Sequence, residues 1–370
     1  MNNAYKRTIA TLLISAVVIS GWVIYKSRHQ ESVTIGAVIP LTGPGSFVGE
    51  LINRGLQLGF ADTAPSVRLN IQDSGSNPTK GLSAYRHLRD MQQSTVNIVA
   101  LSSVINAVLP SALEEQTLLI GTATVLPDLP KKGPNVIRYF PSANQLAGQL
   151  ADYAIQNYRR IAVLYVEDEY GKQSEQVFTS RLAANGLTPV FRGGFPLAQA
   201  EARDIAARVV GSTPDVVFIP GYGPNYLPLI EAIKSTAPGI AIFADIQLTV
   251  PEYIKSVGEV AEGVVLLASR LDCGIAVTKE AEAFLKQYEA AYGIRPGLHA
   301  FISYDLARIV AKSADADADG KEVIKAVTES LLNQSPSEAL VPVRIDADGD
   351  ASFDLIVCRI EGGKLVPATR

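Results

Sequence analysis

From residue 33 onward, short apolar runs alternate with amphipathic segments, and near residue 161 the alternation begins again. Val33-Thr34-Ile35-Gly36-Ala37-Val38-Ile39 has the apolar character of a strand covered on both faces, and residues 47–60 carry apolar positions at helical spacing. Further strands are predicted at 67–71, 96–101 and 118–120, with helices at 80–91 and 104–115. The second series has strands at 161–166, 188–191, 216–219, 240–244 and 264–267, with helices at 174–184, 200–210 and 226–235. A β-α-β-α order requires crossover connections, and these give parallel strands with helices on both faces. The fold class is therefore α/β, with two doubly wound parallel-sheet lobes. Helices at 279–292, 298–314 and 321–332 follow, then strands at 341–345 and 353–360 around a turn at Asp348-Gly349.

A chain of 370 residues is long enough for two such lobes, and its 47% apolar and 19% charged residues are ordinary for a globular protein. The net charge of −4 argues against a general nucleic-acid binder, which needs a basic footprint. His29, His87 and His299 are scattered and lack zinc-ligand spacing, so no metal is expected. Cys273 and Cys358 could pair in an oxidising compartment or stay as two buried thiols.

Residues 8–25 form an almost unbroken apolar run between Lys6-Arg7 and Lys26/Arg28. At the helical rise this run reaches roughly 27 Å, close to one bilayer core. Trp22 and Tyr25 stand at its far end, where amphipathic aromatics favour the interface. Val18-Ile19-Ser20 is a poor small-x-small exit, so residues 1–32 are expected to be an uncleaved signal anchor rather than a cleaved signal. No cysteine follows the run, which excludes a lipoprotein anchor. The body is expected outside the cytoplasm.

Several motifs fail on inspection. Gly43-Pro44-Gly45-Ser46-Phe47-Val48-Gly49 has one residue too many for a dinucleotide fingerprint, and Pro44 lacks an N–H for phosphate. A tight turn lining a cleft is the better account. Asp315-Ala316-Asp317-Ala318-Asp319-Gly320 begins like a calcium loop, but Ala326 stands where the bidentate Glu belongs. Asp346-Ala347-Asp348-Gly349-Asp350 reads as a hairpin turn. No nucleophile elbow, Walker loop or His-Glu-x-x-His is present, which favours binding over catalysis, without a cofactor.

The positive signal lies at strand ends. Ser102-Ser103 ends one strand and opens a helix, where hydroxyls and free N–H groups could receive a carboxylate. Gly121-Thr122-Ala123-Thr124 ends the next strand. Adjacent parallel strands bring both loops to one carboxyl edge, the usual crevice of open α/β folds. Ser102 and Ser103 could equally be plain helix N-caps.

Ile35-Gly36-Ala37-Val38-Ile39-Pro40-Leu41-Thr42-Gly43-Pro44, Glu167-Asp168-Glu169-Tyr170-Gly171, residues 214–222 ending in Gly221-Tyr222, and Tyr292-Gly293 with Ser303-Tyr304-Asp305 occur in this order along the body. Together they resemble the type I periplasmic binding proteins of the Leu/Ile/Val-binding, branched-chain amino-acid family. The resemblance implies a three-crossover hinge near Pro141, Leu271 and Ser337. Lobe one would be 33–141 with 272–336, and lobe two 142–271 with 337–370. A small-molecule ligand would sit between them and draw them together.

In that family the loops matching Ser102-Ser103 and Ala123-Thr124 hold an amino acid's carboxylate and ammonium. Tyr170 and Tyr222 match aromatics that cover the ligand, and Asp245 would pair with the ammonium. Phe47 is a further wall residue. The sequence departs from the family pattern at Val48, where an aromatic is common, and at Val125, a plausible match for a second hydroxyl. The implied function is the non-enzymatic binding component of an ABC importer, taking an amino acid or similar small carboxylate or amide and meeting an ABC permease. The alternative is a membrane-anchored sensing or envelope-regulatory protein on the same fold.

Overall fold

The computed structural model describes residues 33–63, 67–198, 201–250, 254–255, 258–275, 278–314 and 318–368. The apolar run at 8–25 and residues 315–317 of the aspartate-rich turn lie outside them. Among the described residues, no helix is long and apolar enough to cross a membrane.

The first sheet contains β1 (Val33–Ile39), β2 (Val67–Asp73), β3 (Val96–Ala100), β4 (Leu118–Thr122) and β5 (Val136–Arg138) in the order β2-β1-β3-β4-β5. All its pairings are parallel. β3 and β4 are buried along their whole length, as expected of central strands with helices on both faces. The intervening helices are α1 (Ser46–Ala61), α2 (Pro78–Gln92) and α3 (Ser102–Glu114).

The chain then enters α4 (Ala143–Asn157), β6 (Ile161–Val166), α5 (Glu169–Ala184), β7 (Phe191–Phe195), α6 (Ala202–Gly211), β8 (Val216–Phe218), α7 (Tyr226–Thr236), β9 (Ala241–Phe243) and β10 (Val265–Ser269). The helices α8 (Lys279–Tyr292), α9 (Leu298–Ser313) and α10 (Gly320–Leu332) return to the first sheet. α9 lies directly on α1. A β-carbon on Gly55 would fall 2.5 Å from the Ala300 carbonyl oxygen, and one on Gly59 would fall 2.6 Å from Ala307 Cβ. Glycine is required there because the two backbones approach so closely.

After α10 come β11 (Val343–Ile345), β12 (Ala351–Phe353), β13 (Leu355–Glu361) and β14 (Lys364–Pro367). The second sheet runs β14-β13-β10-β9-β8-β6-β7, parallel except where β13 meets β10 and β14. β11 and β12 form a separate hairpin. Its turn is the Asp346 loop, whose carboxylate accepts the N–H groups of Asp348 and Asp350. The hairpin docks on β5: Arg138 N–H donates to the Gly349 carbonyl at 3.0 Å, and its guanidinium holds Asp350.

Two local expectations need correction. The strand at 188–191 forms instead at Phe191–Phe195, through Gly193 and Gly194, because an edge strand paired only with β6 needs little side-chain burial. The strand at 353–360 is broken at Asp354, whose N–H turns to the Pro342 carbonyl, so its halves join different sheets. α4 is additional: its buried face combines Leu146 and Leu150 with four alanines. The helix expected at 321–332 forms as α10 and starts with a capping box, Asp319 and Glu322 exchanging bonds with each other's backbone.

One buried cluster runs from the α1/α9 face of the first sheet through Tyr139 and Phe140 to the α4 face of the second. Separate clusters cover the remaining face of each sheet. Cys273 and Cys358 are disulfide-bonded, which decides between the two cysteine readings and ties the segment after β10 to β13.

Candidate ligand cleft

The loops after β3 and β4 lie side by side because those strands are neighbours in parallel register. Each contains a non-glycine residue at positive φ: Leu101 at 76° and Ala123 at 45°. Such conformations cost on the order of 1–3 kcal/mol and persist where surrounding structure imposes them, commonly at ligand sites. Leu101, and not either serine, is the N-cap residue of α3. The Ser102 hydroxyl instead lies 3.2 Å from Thr124 Oγ1 and accepts the Val125 N–H at 3.2 Å. The N-cap alternative for Ser102 therefore fails. Ser103 stands half-buried on the same first turn, among the helix's unpaired N–H positions.

The equivalent edge of the second sheet is built from tyrosines and carboxylates. Asp168 caps α5 by accepting the Gly171 N–H at 2.9 Å, which fixes Tyr170 on the first turn. Tyr170 donates its hydroxyl to Asp245 Oδ2 at 2.6 Å. Tyr222 donates to Asp168 Oδ2 at 2.6 Å, and the two rings meet edge-on with centroids 6.1 Å apart. The Asp245 N–H in turn donates to the Tyr226 hydroxyl.

Burial pushes the Asp245 carboxyl up to about 7, against bonds from Tyr170 and the Ile246 and Gly221 amides. Burial also raises Asp168 and holds the Tyr170 and Tyr222 phenols above their ordinary range, so both tyrosines remain donors. Among the described residues, no group of His, Cys, Asp and Glu is arranged to hold a metal.

The two edges face each other. A β-carbon on Gly45, in the β1–α1 turn, would lie 3.6 Å from the Tyr222 ring, and one on Gly223 would lie 3.8 Å from Pro44 Cβ. That turn is secured from behind: Asp73 accepts from Thr42 N, Thr42 Oγ1, Gly75 N and Lys80 Nζ, and Ser76 bonds Gly45 N–H. A third meeting point is Thr249 Oγ1, which accepts the Leu298 N–H at 3.2 Å. Ser102 with Thr124, and Tyr170 with Tyr222 and Asp245, are thus brought together as two sets. Phe47 sits half-buried on the first turn of α1, against the core.

A family model described as periplasmic binding protein matches residues 32–364. The chain belongs to that family. It is a type I member of the branched-chain amino-acid class, a solute-binding protein and not an enzyme, from a family that works outside the cytoplasm. The Leu/Ile/Val-binding protein BraC3 of Rhizobium johnstonii is 25% identical over 342 residues, spanning 86% of this chain and 92% of that protein. A solute-binding protein of an ABC transporter from R. palustris, solved in complex with benzoate, superposes with a TM-score of 0.80 at 22% identity, covering 91% and 95% of the two chains. The branched-chain amino acid transporter substrate-binding protein LivJ of Streptococcus pneumoniae, solved with isoleucine, gives 0.79 at 16% identity over 90% and 97%.

Asp168, Tyr226 and Thr249 were not among the residues singled out from sequence. Asp168 lies inside the Glu167–Gly171 motif and could have been found as the N-cap residue before Tyr170. Tyr226 and Thr249 carry no local pattern; only the packing of the loops reveals them.

Proposed function

We propose that this chain is the extracytoplasmic solute receptor of an ABC importer, closing on an amino acid or a similar small carboxylate or amide. One relationship carries the reading: the Ser102–Thr124 hydroxyl pair lies at the carboxyl edge of one sheet, while Tyr170, Tyr222 and Asp245 lie at that of the other. Lobe one is residues 33–141 with 272–336, and lobe two is 142–271 with 337–370, with hairpin β11–β12 bonded back to β5. The contacts of Gly45 with Tyr222 and of Thr249 with Leu298 would break on opening. In this reading Ser102, Ser103, Ala123 and Thr124 receive the carboxylate and help hold the ammonium. Asp245 completes the ammonium site, and Phe47, Tyr170 and Tyr222 wall the cleft. Residues 8–25 anchor the receptor at the membrane beside its permease.

Isoleucine and benzoate, the molecules bound in two of the similar structures, define the first test panel. A receptor of this kind gains thermal stability in proportion to the logarithm of ligand over Kd. Thermal melts should rise with L-isoleucine, L-leucine, L-glutamine or benzoate at millimolar concentration. A flat response across a broad amino-acid and carboxylate panel would sink the reading.

A further inference from the structure

Beside the Tyr170–Asp245 pair lies a small cavity of about 10 Å³, room for a single water, between α4, α5 and the ends of β8, β9 and β10. Its wall is apolar, with Leu146, Leu150, Phe218 and Leu267 among its members, except where Tyr170, Ser174 and Asp245 enter it. Ser174 is 2% exposed, and its hydroxyl has no hydrogen-bond partner. A helical serine normally returns its hydroxyl to the carbonyl one turn back, here that of Tyr170, or points to solvent. Ser174 does neither. Leaving a buried hydroxyl unsatisfied is costly, and a cavity with two polar groups can lodge a water that satisfies both.

We propose that this cavity binds a water molecule joining Ser174 Oγ to the Asp245 carboxyl, making Ser174 a positioning residue for the cleft's acidic group. The inference rests on the reading of Asp245 as part of the ligand site. Tyr170 holds one carboxylate oxygen, Oδ2. A water on the cavity side would fix the carboxyl plane and present its remaining lone pairs toward the solute. Such a water bonds the ionised form more strongly than the neutral one and so opposes the effect of burial. The other groups facing Asp245 are the Tyr170 and Tyr226 hydroxyls and the Asp168 carboxylate, while α4 contributes only apolar side chains.

The test needs no solute. The Asp245 side-chain carbon is followed by NMR in protein with labelled aspartate, its signal assigned by its loss in Asp245→Asn. Ser174→Ala should raise the protonation midpoint of Asp245 by about half a pH unit or more, while Ser174→Thr, which keeps the hydroxyl, should restore it. A purely structural role for Ser174 would lower thermal stability without moving that midpoint. A crystal structure of the unliganded protein should place a water within hydrogen-bond distance of both groups. An unchanged midpoint in Ser174→Ala, or a dry cavity with Ser174 bonded to the Tyr170 carbonyl, overturns the proposal. Failure of the solute panel would instead strike at the receptor reading and leave this titration standing.

Discussion

Tyr170 donates its phenolic hydrogen to Asp245 at 2.6 Å, joining the first turn of α5 to the loop after β9. The bond does two things. It orients the ring proposed to cover the cleft, and it supplies a donor to a carboxylate that burial would otherwise keep protonated.

Tyr170→Phe should therefore weaken the binding of any solute that presents an ammonium to Asp245. A hydrogen bond to a charged group contributes roughly 1.5–3 kcal/mol, which corresponds to about a 10- to 100-fold loss in affinity. Calorimetric titration with L-isoleucine at pH 8 measures it, with benzoate as the control that offers no ammonium. Equal losses for both solutes would mean that Tyr170 acts only as a wall.

The two parallel sheets were readable because strands such as β3 and β4 are mostly apolar and alternate with amphipathic segments. α4 lies between the two series read from sequence, and its buried Leu146, Leu150 and alanines join the core at the second sheet. At the site, Ser102, Thr124, Tyr170, Tyr222 and Asp245 could be named from strand-end position and family pattern. Their partners could not. The pairing of Tyr222 with Asp168, and of Thr249 with Leu298, depends on how loops from distant parts of the chain meet.

Stability should depend on pH in a direction set by buried acids. Burial holds the carboxyls of Asp245 and Asp272 at about 7 and that of Asp305 at about 8, against an ordinary value of 3.8. Between those limits the native state keeps protons that the unfolded chain has released, so stability falls as pH rises. His299 acts oppositely: burial lowers it from 6.5 to about 4, and stability falls as pH drops through that window. From pH 8.5 to 6.5 only the acids operate, and the melting temperature should increase. Asp305→Asn should reduce that increase when followed by scanning calorimetry. A melting temperature that climbs with pH over this range would refute the assignment.

The Cys273–Cys358 disulfide closes a loop with a sequence separation of 85 residues around α8, α9 and α10. On the chain-entropy account, a loop of that length stabilises the fold by about 4–5 kcal/mol. The paired replacement Cys273→Ala with Cys358→Ala should lower the urea midpoint accordingly. The wild-type protein should lose the same amount in reductant, while the variant should be indifferent to it. Reductant sensitivity that persists in the variant would contradict the pairing.

Arg138 is 3% exposed and places its guanidinium between Asp350 and the Leu126 carbonyl. It therefore fastens hairpin β11–β12 to the last strand of the first sheet, next to where the chain leaves for α4. Removing Asp350 leaves the buried Arg138 guanidinium without its carboxylate, held by the Leu126 carbonyl alone, at a cost of up to roughly 3–5 kcal/mol. Asp350→Ala should thus lower the urea midpoint markedly with little change in its slope. Replacing both, Arg138→Met with Asp350→Leu, should recover most of the loss, because two apolar groups leave no charge to bury. If the double variant is as unstable as the single one, the guanidinium's bond to Leu126 matters more than the ion pair. If the single variant is as stable as wild type, the hairpin is held by its backbone bond to Arg138 and by the edge contact of Tyr139 with Phe353.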